Sequence, residues 1–288
     1  MTKDNWTGIG IIFGIIAIAI FGGKGGLSAP NTPDEQEALV VQQIADAQHK
    51  ADDLQKQITT FKEEETHSVY FGKVSLQSVA QSTNPAQEYI ILRATNSAGA
   101  TIPITGWTLR SQSTGNVVQI PQGSYIYFDN SQNAEEDVNL SADDTVYLIT
   151  GSSPIGVGFR INKCSGYQTQ FHTFTPSLWT SCPAPRNEDT SSIKPIVAND
   201  ACFDYINSFP SCRVPTDSLP NNWTYECKQF VTQKINYNSC ITTHKNDKDF
   251  YSHEWRLYLK RSTTLWKNSR EDIILYDLDG KIVSELTY

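Results

Sequence analysis

The sequence predicts a mainly β fold: a β-sandwich that carries a disulfide-rich insertion and is preceded by a transmembrane helix and a coiled-coil-like helix. Three observations predict it. Glu88 to Ile120, centred on Gly106-Trp107-Thr108-Leu109, alternates apolar and polar residues on both sides of a Gly/Ser/Asn-rich break. Short strands read this way when each buries one face against a second sheet. All six cysteines lie between Cys164 and Cys240, an even number in one segment, which reads as a disulfide framework in an exported chain. Trp6 to Gly23 is an almost uncharged run, close to the ~20 residues that span a bilayer as a helix.

Composition sets the outer bounds. With 288 residues and ordinary apolar content, the chain has material for a real core. Its formal charge of -8 argues against wrapping a phosphate backbone, which needs a concentrated Lys/Arg surface. Buried free thiols and zinc are the alternatives to disulfides, but no Cys-x-x-Cys or His-x-x-x-His spacing occurs, so a structural zinc site lacks its usual ligand pattern.

Met1 to Lys24 is read as a cytoplasmic tip and an uncleaved signal anchor. The best cleavage position, after Ala29, is spoiled by Leu27 two residues before it and by Pro30 immediately after. Loop charges barely decide orientation, whereas a disulfide-bearing segment belongs outside, which puts everything after about Lys24 on the outer side. Residues 25–33 are small, polar and Pro-containing, a linker.

A helical stalk follows over 34–66, where Val40, Ile44, Ala47, Ala51, Leu54, Ile58 and Phe61 recur at alternating spacings of four and three. This heptad seam suits a coiled coil, and hence a homo-oligomer; a single amphipathic helix packed on the globular domain is the other reading. After Glu63-Glu64-Glu65 the pattern changes to strands at Val69–Val79, with Gly72 as a candidate bulge, then through the central stretch, at Ser124–Phe128 and at Thr145–Thr150. Asp279-Gly280 between two apolar runs signals a two-residue hairpin near the C-terminus.

The order EYIIL, GWTLRS, VVQIP, the Leu140/Asp144/Val146-Tyr147-Leu148 strand and Gly158-Phe159-Arg160 resembles the lamin-tail domain, an immunoglobulin-like sandwich, in the versions found on bacterial cell-surface proteins. The resemblance covers about Ser68 to Lys163 and resumes near Phe250 with WRLYL, DIILYDL and KIVSELTY. It implies one sandwich over 68–163 plus 250–288, with Trp107 as a core residue at a strand start, Gly106 and Gly123 at turns, and no catalytic residue. The cysteine-rich segment 164–249 is then an insertion. Within it, short rings close most easily, which favours Cys164 with Cys182, Cys202 with Cys212, and Cys227 with Cys240.

No catalytic, cofactor or metal residue is expected. The local cluster His244, Asp247, Asp249, His253 and Glu254 has no calcium-loop glycine and has Lys245 and Lys248 interleaved. Gly-x-Ser-x-Gly and phosphate-loop patterns are absent, and the sequons at Asn5, Asn139 and Asn222 carry little weight. The sequence therefore points to a non-catalytic, single-pass cell-surface protein for adhesion, envelope organisation or scaffolding, with a protein or envelope component as partner. Trp179, Phe209, Trp223 and Tyr225 are the candidate contacts, because large aromatics on stapled loops make good anchors when exposed; their other reading is the insertion's own small core. The alternatives are an envelope hydrolase or metal module, in which His244, Asp247, Asp249 and His253 would converge, and a nucleic-acid- or filament-binding tail.

Overall fold

Eleven strands and four helices are described by the structure, a computed structural model that covers residues 33–95 and 100–288. Among these residues no helix is long and apolar enough to cross a membrane, and the Trp6–Gly23 segment lies outside them. The chain divides into two compact units, Met1–Lys62 and Glu63–Tyr288.

Helix α1 spans Pro33–Thr66. Its predicted seam is solvent-facing, with Val40, Ile44, Leu54 and Phe61 between 41% and 69% exposed.

The second unit is built on two sheets. One has five strands in the order β1 (Val74–Ala80), β2 (Tyr89–Ala94), β7 (Thr145–Ile149), β9 (Tyr251–Tyr258) and β8 (Phe159–Asn162). The other has four, β11 (Ile282–Thr287), β10 (Asp272–Tyr276), β4 (Thr108–Ser111) and β5 (Val117–Gln119). A two-stranded pair, β3 (Ile102–Pro103) with β6 (Asn139–Leu140), completes the set. Alternate residues from both large sheets meet in one core: Val74, Leu92, Leu148, Trp255 and Leu257 from the first, Leu109, Ile273, Leu275 and Val283 from the second. Trp107 is buried immediately before β4, its ring 5.3 Å from that of Tyr70.

Two buried carboxyl groups hold the long return of the chain. Glu88 accepts from Thr150 Oγ1 at 2.7 Å and from the backbone N–H groups of Leu265 and Trp266 at 2.8 and 3.2 Å. Glu271 accepts from Ser111 Oγ at 2.7 Å and from Lys267 N at 3.0 Å. Such satisfied groups fix register, because a buried carboxyl without donors is expensive.

Three local expectations are corrected. The first strand begins at Val74, since Gly72 takes φ +70° in a preceding turn, and the bulge falls between Leu76 and Ser78. Ser124–Phe128 is not a strand: Gly123 and Ser124 make single bridges to Glu136 and Phe159, and Phe128 N turns to Asn133 Oδ1 at 2.7 Å. The β10–β11 hairpin closes through Asp277 N and Lys281 O at 2.9 Å, which leaves three loop residues with only Gly280 at positive φ. That is the three-residue class with a left-handed glycine rather than the two-residue turn.

The cysteine-rich segment is an enlarged hairpin loop between β8 and β9. Its neck closes where Lys163 N donates to Phe250 O at 2.9 Å. Inside it run helices α2 (Asp200–Ser208), α3 (Tyr225–Lys234) and α4 (Tyr237–His244) with short 3-10 turns. All six cysteines are paired, Cys164 with Cys240, Cys182 with Cys212 and Cys202 with Cys227, and none of these is the neighbour pairing expected from ring size. The reason is packing. Lengthening a ring from ~20 to ~80 residues costs only about 1 kcal/mol more, whereas α2 and α3 meet through Ile206, Phe230, Val231 and Trp223 and bring Cys202 against Cys227. Gly166 faces the Cys182–Cys212 bridge so closely that a Cβ would lie 2.8 Å from Cys182 Sγ. Three disulfides are characteristic of an oxidising environment.

Candidate functional site

The neck of the insertion gathers most of the predicted polar cluster. Asn236 caps α4 by accepting from Ser239 N at 2.9 Å, and the Cys164–Cys240 bridge ties the helix to the end of β8. His244, the last residue of α4, is followed by a turn in which Asp247 N donates to the His244 carbonyl at 2.9 Å. The turn returns Asp247 to its own helix end, so His244 Nδ1 lies 2.8 Å from Asp247 Oδ2, while Nε2 lies 3.0 Å from Glu188 Oε1. Lys163, leaving β8, donates to Asp247 at 2.8 Å and to Asp249 at 2.6 Å.

These contacts set the charges. Partial burial works against the His244 imidazolium, but the hydrogen bonds to Glu188 and Asp247 outweigh it and raise the pKa above the ordinary histidine value. The hydrogen bonds to Asp247 and Asp249 hold the Lys163 ammonium above its usual range, and the same contact with Lys163 holds both carboxyl groups below theirs. Burial pushes the nearby Tyr167 phenol up to about 12. Every group in this network is thus occupied by a partner of opposite charge, the arrangement of a structural tie.

His253 does not join it. Its Nδ1 lies 2.8 Å from Asp144 Oδ1, a buried carboxyl also held by Ser141 N at 2.9 Å and Arg160 at 3.4 Å. Glu254 pairs with Arg256 at 2.6 Å. The four residues of the hydrolase alternative therefore divide between two separate networks. Among the described residues no group of three or more His, Cys, Asp or Glu side chains is placed to hold a metal ion.

An open groove of about 380 Å³ lies beside the neck, lined in part by Lys163, Trp179, Ser181, Asp249, Ser252 and His253. It follows the irregular part of the β8–β9 ladder, where Asn162 pairs with Tyr251 but Arg160 with Trp255, so β9 carries two extra residues. Such a bulge re-aims side chains, and Ser252, His253 and Glu254 reach the groove from it.

No family model matches the chain, and no curated protein matches it.

The four aromatic candidates separate. Trp179 and Tyr225 are 76% and 74% exposed. Trp223 is buried, its ring 5.0 Å from Tyr205, and Phe209 is half-buried 5.1 Å from the same ring. The latter two complete the α2–α3 core, which needs their area because a small lobe has few other apolar side chains. Only Trp179 of the set lines the groove.

The loop under Trp179 is held from below by a residue that alternation conceals. Arg256 is 2% exposed, on the face of β9 opposite the Trp255 and Leu257 core positions, and donates to Pro176 O at 2.7 Å and to Ser177 O at 3.4 Å. Its guanidinium sits 4.3 Å from the Tyr147 ring centroid. Phe174 and Leu178 plug into a buried cluster with Phe159 and Ile161, and Cys182 is bridged three residues after Trp179. An arginine in a strand reads as outward and solvated; here the insertion folds over that face.

Proposed function

We propose that the protein is a non-catalytic, single-pass cell-surface protein that displays a lamin-tail-like, immunoglobulin-like sandwich on a helical stalk, with the stapled insertion as its contact surface. The observation that carries the reading is the presentation of Trp179. It is a largely exposed indole on a loop fixed by Arg256, by two buried side chains and by a disulfide. An exposed anchor on a rigid support loses little entropy on contact, the condition for an interaction hot spot. The ionisable groups nearby are paired in two separate networks, which supports a binding surface in preference to a reaction centre.

The address rests on the three disulfides together with the apolar Trp6–Gly23 run. The two large sheets sharing one core, with Trp107 buried at the start of β4, support the sandwich reading. α1, with its exposed heptad residues, serves as the stalk and as a seam for a second copy.

The test is labelling of intact cells with a membrane-impermeant biotin ester, followed by peptide mapping of the recovered protein without reduction. Biotin on lysines of the 63–288 unit, in a chain that retains Trp6–Gly23 and has no free thiol, is the expected result. Labelling confined to permeabilised cells overturns the proposed topology.

A further inference from the structure

We infer that the groove beside Trp179 is a binding site for a neutral saccharide. The inference rests on the display reading for where the ligand would be met, but not for the chemistry of the groove.

The charged groups at the groove are already paired. Lys163 is neutralised by Asp247 and Asp249, and Glu254 by Arg256. An anionic ligand would have to take Lys163 from two carboxylates, and a cationic one would have to take Asp249 from a 2.6 Å ion pair. The first exchange strips Lys163 of both partners, and the second replaces one exposed pair by another of the same weak kind, so the groove disfavours anions and gains little from cations. What it offers is hydrogen-bonding capacity with its charges already paired: carboxylate oxygens on Asp249 that accept, the Ser181 hydroxyl, and the Ser252 hydroxyl, which donates to Ile161 O at 3.2 Å and is left as an acceptor.

Shape and the indole supply the rest. The volume of about 380 Å³ falls within the ~300–1,000 Å³ of small-ligand sites, though at its lower end. The groove is open rather than enclosed, which suits part of a chain rather than an engulfed small molecule. Trp179 supplies a large exposed ring at the groove, and the electron-rich face of an indole is the natural partner for the weakly positive C–H face of a pyranose. A polyhydroxylated ring with one apolar face is the ligand class that uses all of these features at once. The anchoring of residues 174–178 and the Cys182–Cys212 bridge keeps the indole in place before the ligand arrives, so little ordering cost remains.

Trp179 also makes the test specific. Among the described tryptophans, Trp107, Trp223, Trp255 and Trp266 are each 9% exposed or less, against 76% for Trp179, and a Trp6→Phe background removes the remaining emitter. The full chain, purified in a detergent without a sugar headgroup, is titrated with neutral oligosaccharides of glucose, N-acetylglucosamine, mannose and galactose, while acrylamide quenching of tryptophan emission is followed. A lysine-rich peptide and inorganic phosphate serve as charged probes. The expected result is saturable protection from quenching by at least one neutral oligosaccharide and by neither charged probe. Calorimetry should then show that Trp179→Ala weakens binding of that sugar by about tenfold or more, the loss of one aromatic contact and its buried area, and that Asp249→Asn weakens it by a few-fold. Both side chains are largely exposed, so unchanged urea unfolding curves certify the fold of each variant.

Protection by none of the sugars, protection by the lysine-rich peptide alone, or calorimetric binding unaffected by Trp179→Ala would each overturn the assignment. The cell-surface labelling experiment fails independently. Sugar binding by a protein labelled only in permeabilised cells would refute the display reading and leave the groove assigned.

Discussion

Arg256 Nη1 donates to the carbonyl of Pro176 at 2.7 Å, across 80 residues of sequence. This contact joins the central part of the five-stranded sheet to the loop that presents Trp179, and it makes the exposed indole a property of the sheet beneath it. Replacing Arg256 by Met keeps much of the volume but removes the donors, strands two carbonyl oxygens and a half-buried Glu254, and ends the contact with the Tyr147 ring. The sum is a destabilisation of about 3 kcal/mol. It should appear as a lower urea midpoint at unchanged m-value, with faster amide exchange concentrated in residues 174–179. An unchanged midpoint would mean that the loop is held by Phe174 and Leu178 alone.

The disulfide connectivity gives a second prediction. Digestion without reduction should release Cys164 linked to Cys240, Cys182 to Cys212 and Cys202 to Cys227. Replacing both Cys202 and Cys227 by serine opens a ring with a sequence separation of 25, for an expected loss of about 3 kcal/mol by chain entropy. The effect should be on the insertion lobe, whose α2–α3 core contains both sulfurs. Recovery of neighbour-paired peptides would contradict the packing of these helices.

The neck network should make stability depend on pH in two directions. His244 has a folded pKa above its ordinary 6.5, so its contribution is complete below 6.5 and is lost as pH rises through the raised value. Asp247 and Asp249 have folded values below the ordinary 3.8, so theirs is present above 3.8 and is lost as pH falls through the lowered values. Between these limits the neck is tightest. Urea midpoints measured across this range should decline above pH 6.5 in the native chain, and His244→Gln should flatten that decline without altering the acid limb. A titration of the His244 ring followed by NMR gives the direct check, and a midpoint below 6.5 would remove the alkaline part of the argument.

What could be read from sequence was whatever depended on alternation. Leu109, Val146, Leu148, Trp255, Leu257, Ile273 and Leu275 stand at apolar positions of the predicted strands, and all are buried. Where the backbone bonds to side chains, alternation misleads: Ser124–Phe128 has the composition of a strand, yet Phe128 N and Asp129 N donate to Asn133 and Asn238. Trp179 was accessible to reasoning because a large aromatic on a stapled loop is either an anchor or a core residue, and Trp223 has the same signature with the opposite outcome. Only the packing of α2 against α3 separates them. Arg256 had no signal at all, since the segment that buries it lies about 80 residues away.

The last prediction concerns α1. In its heptads Glu37, Ile44, Ala51 and Ile58 take one seam position and Val40, Ala47, Leu54 and Phe61 the other. The flanking positions hold Gln43, Gln48, Gln55 and Gln57, with Lys50 and Lys62 as the charges among them. In a parallel, in-register pair Lys50 falls opposite Gln55 and Lys62 opposite Gln57 of the second copy, so no like charges meet at the flanking positions, while Glu37 would face its own counterpart and the apolar seam starts at Val40. The two alanine layers limit the apolar area, which makes the association weak and dependent on protein concentration. The full chain in detergent should therefore sediment as a reversible oligomer at high protein concentration. Ile44→Asp places a carboxylate in the seam and should shift the dissociation constant at least tenfold toward monomer, while leaving the unfolding of the 63–288 unit unchanged. Sedimentation as a monomer at every concentration, with native and variant chains alike, would show that the exposed seam has no second copy as its partner.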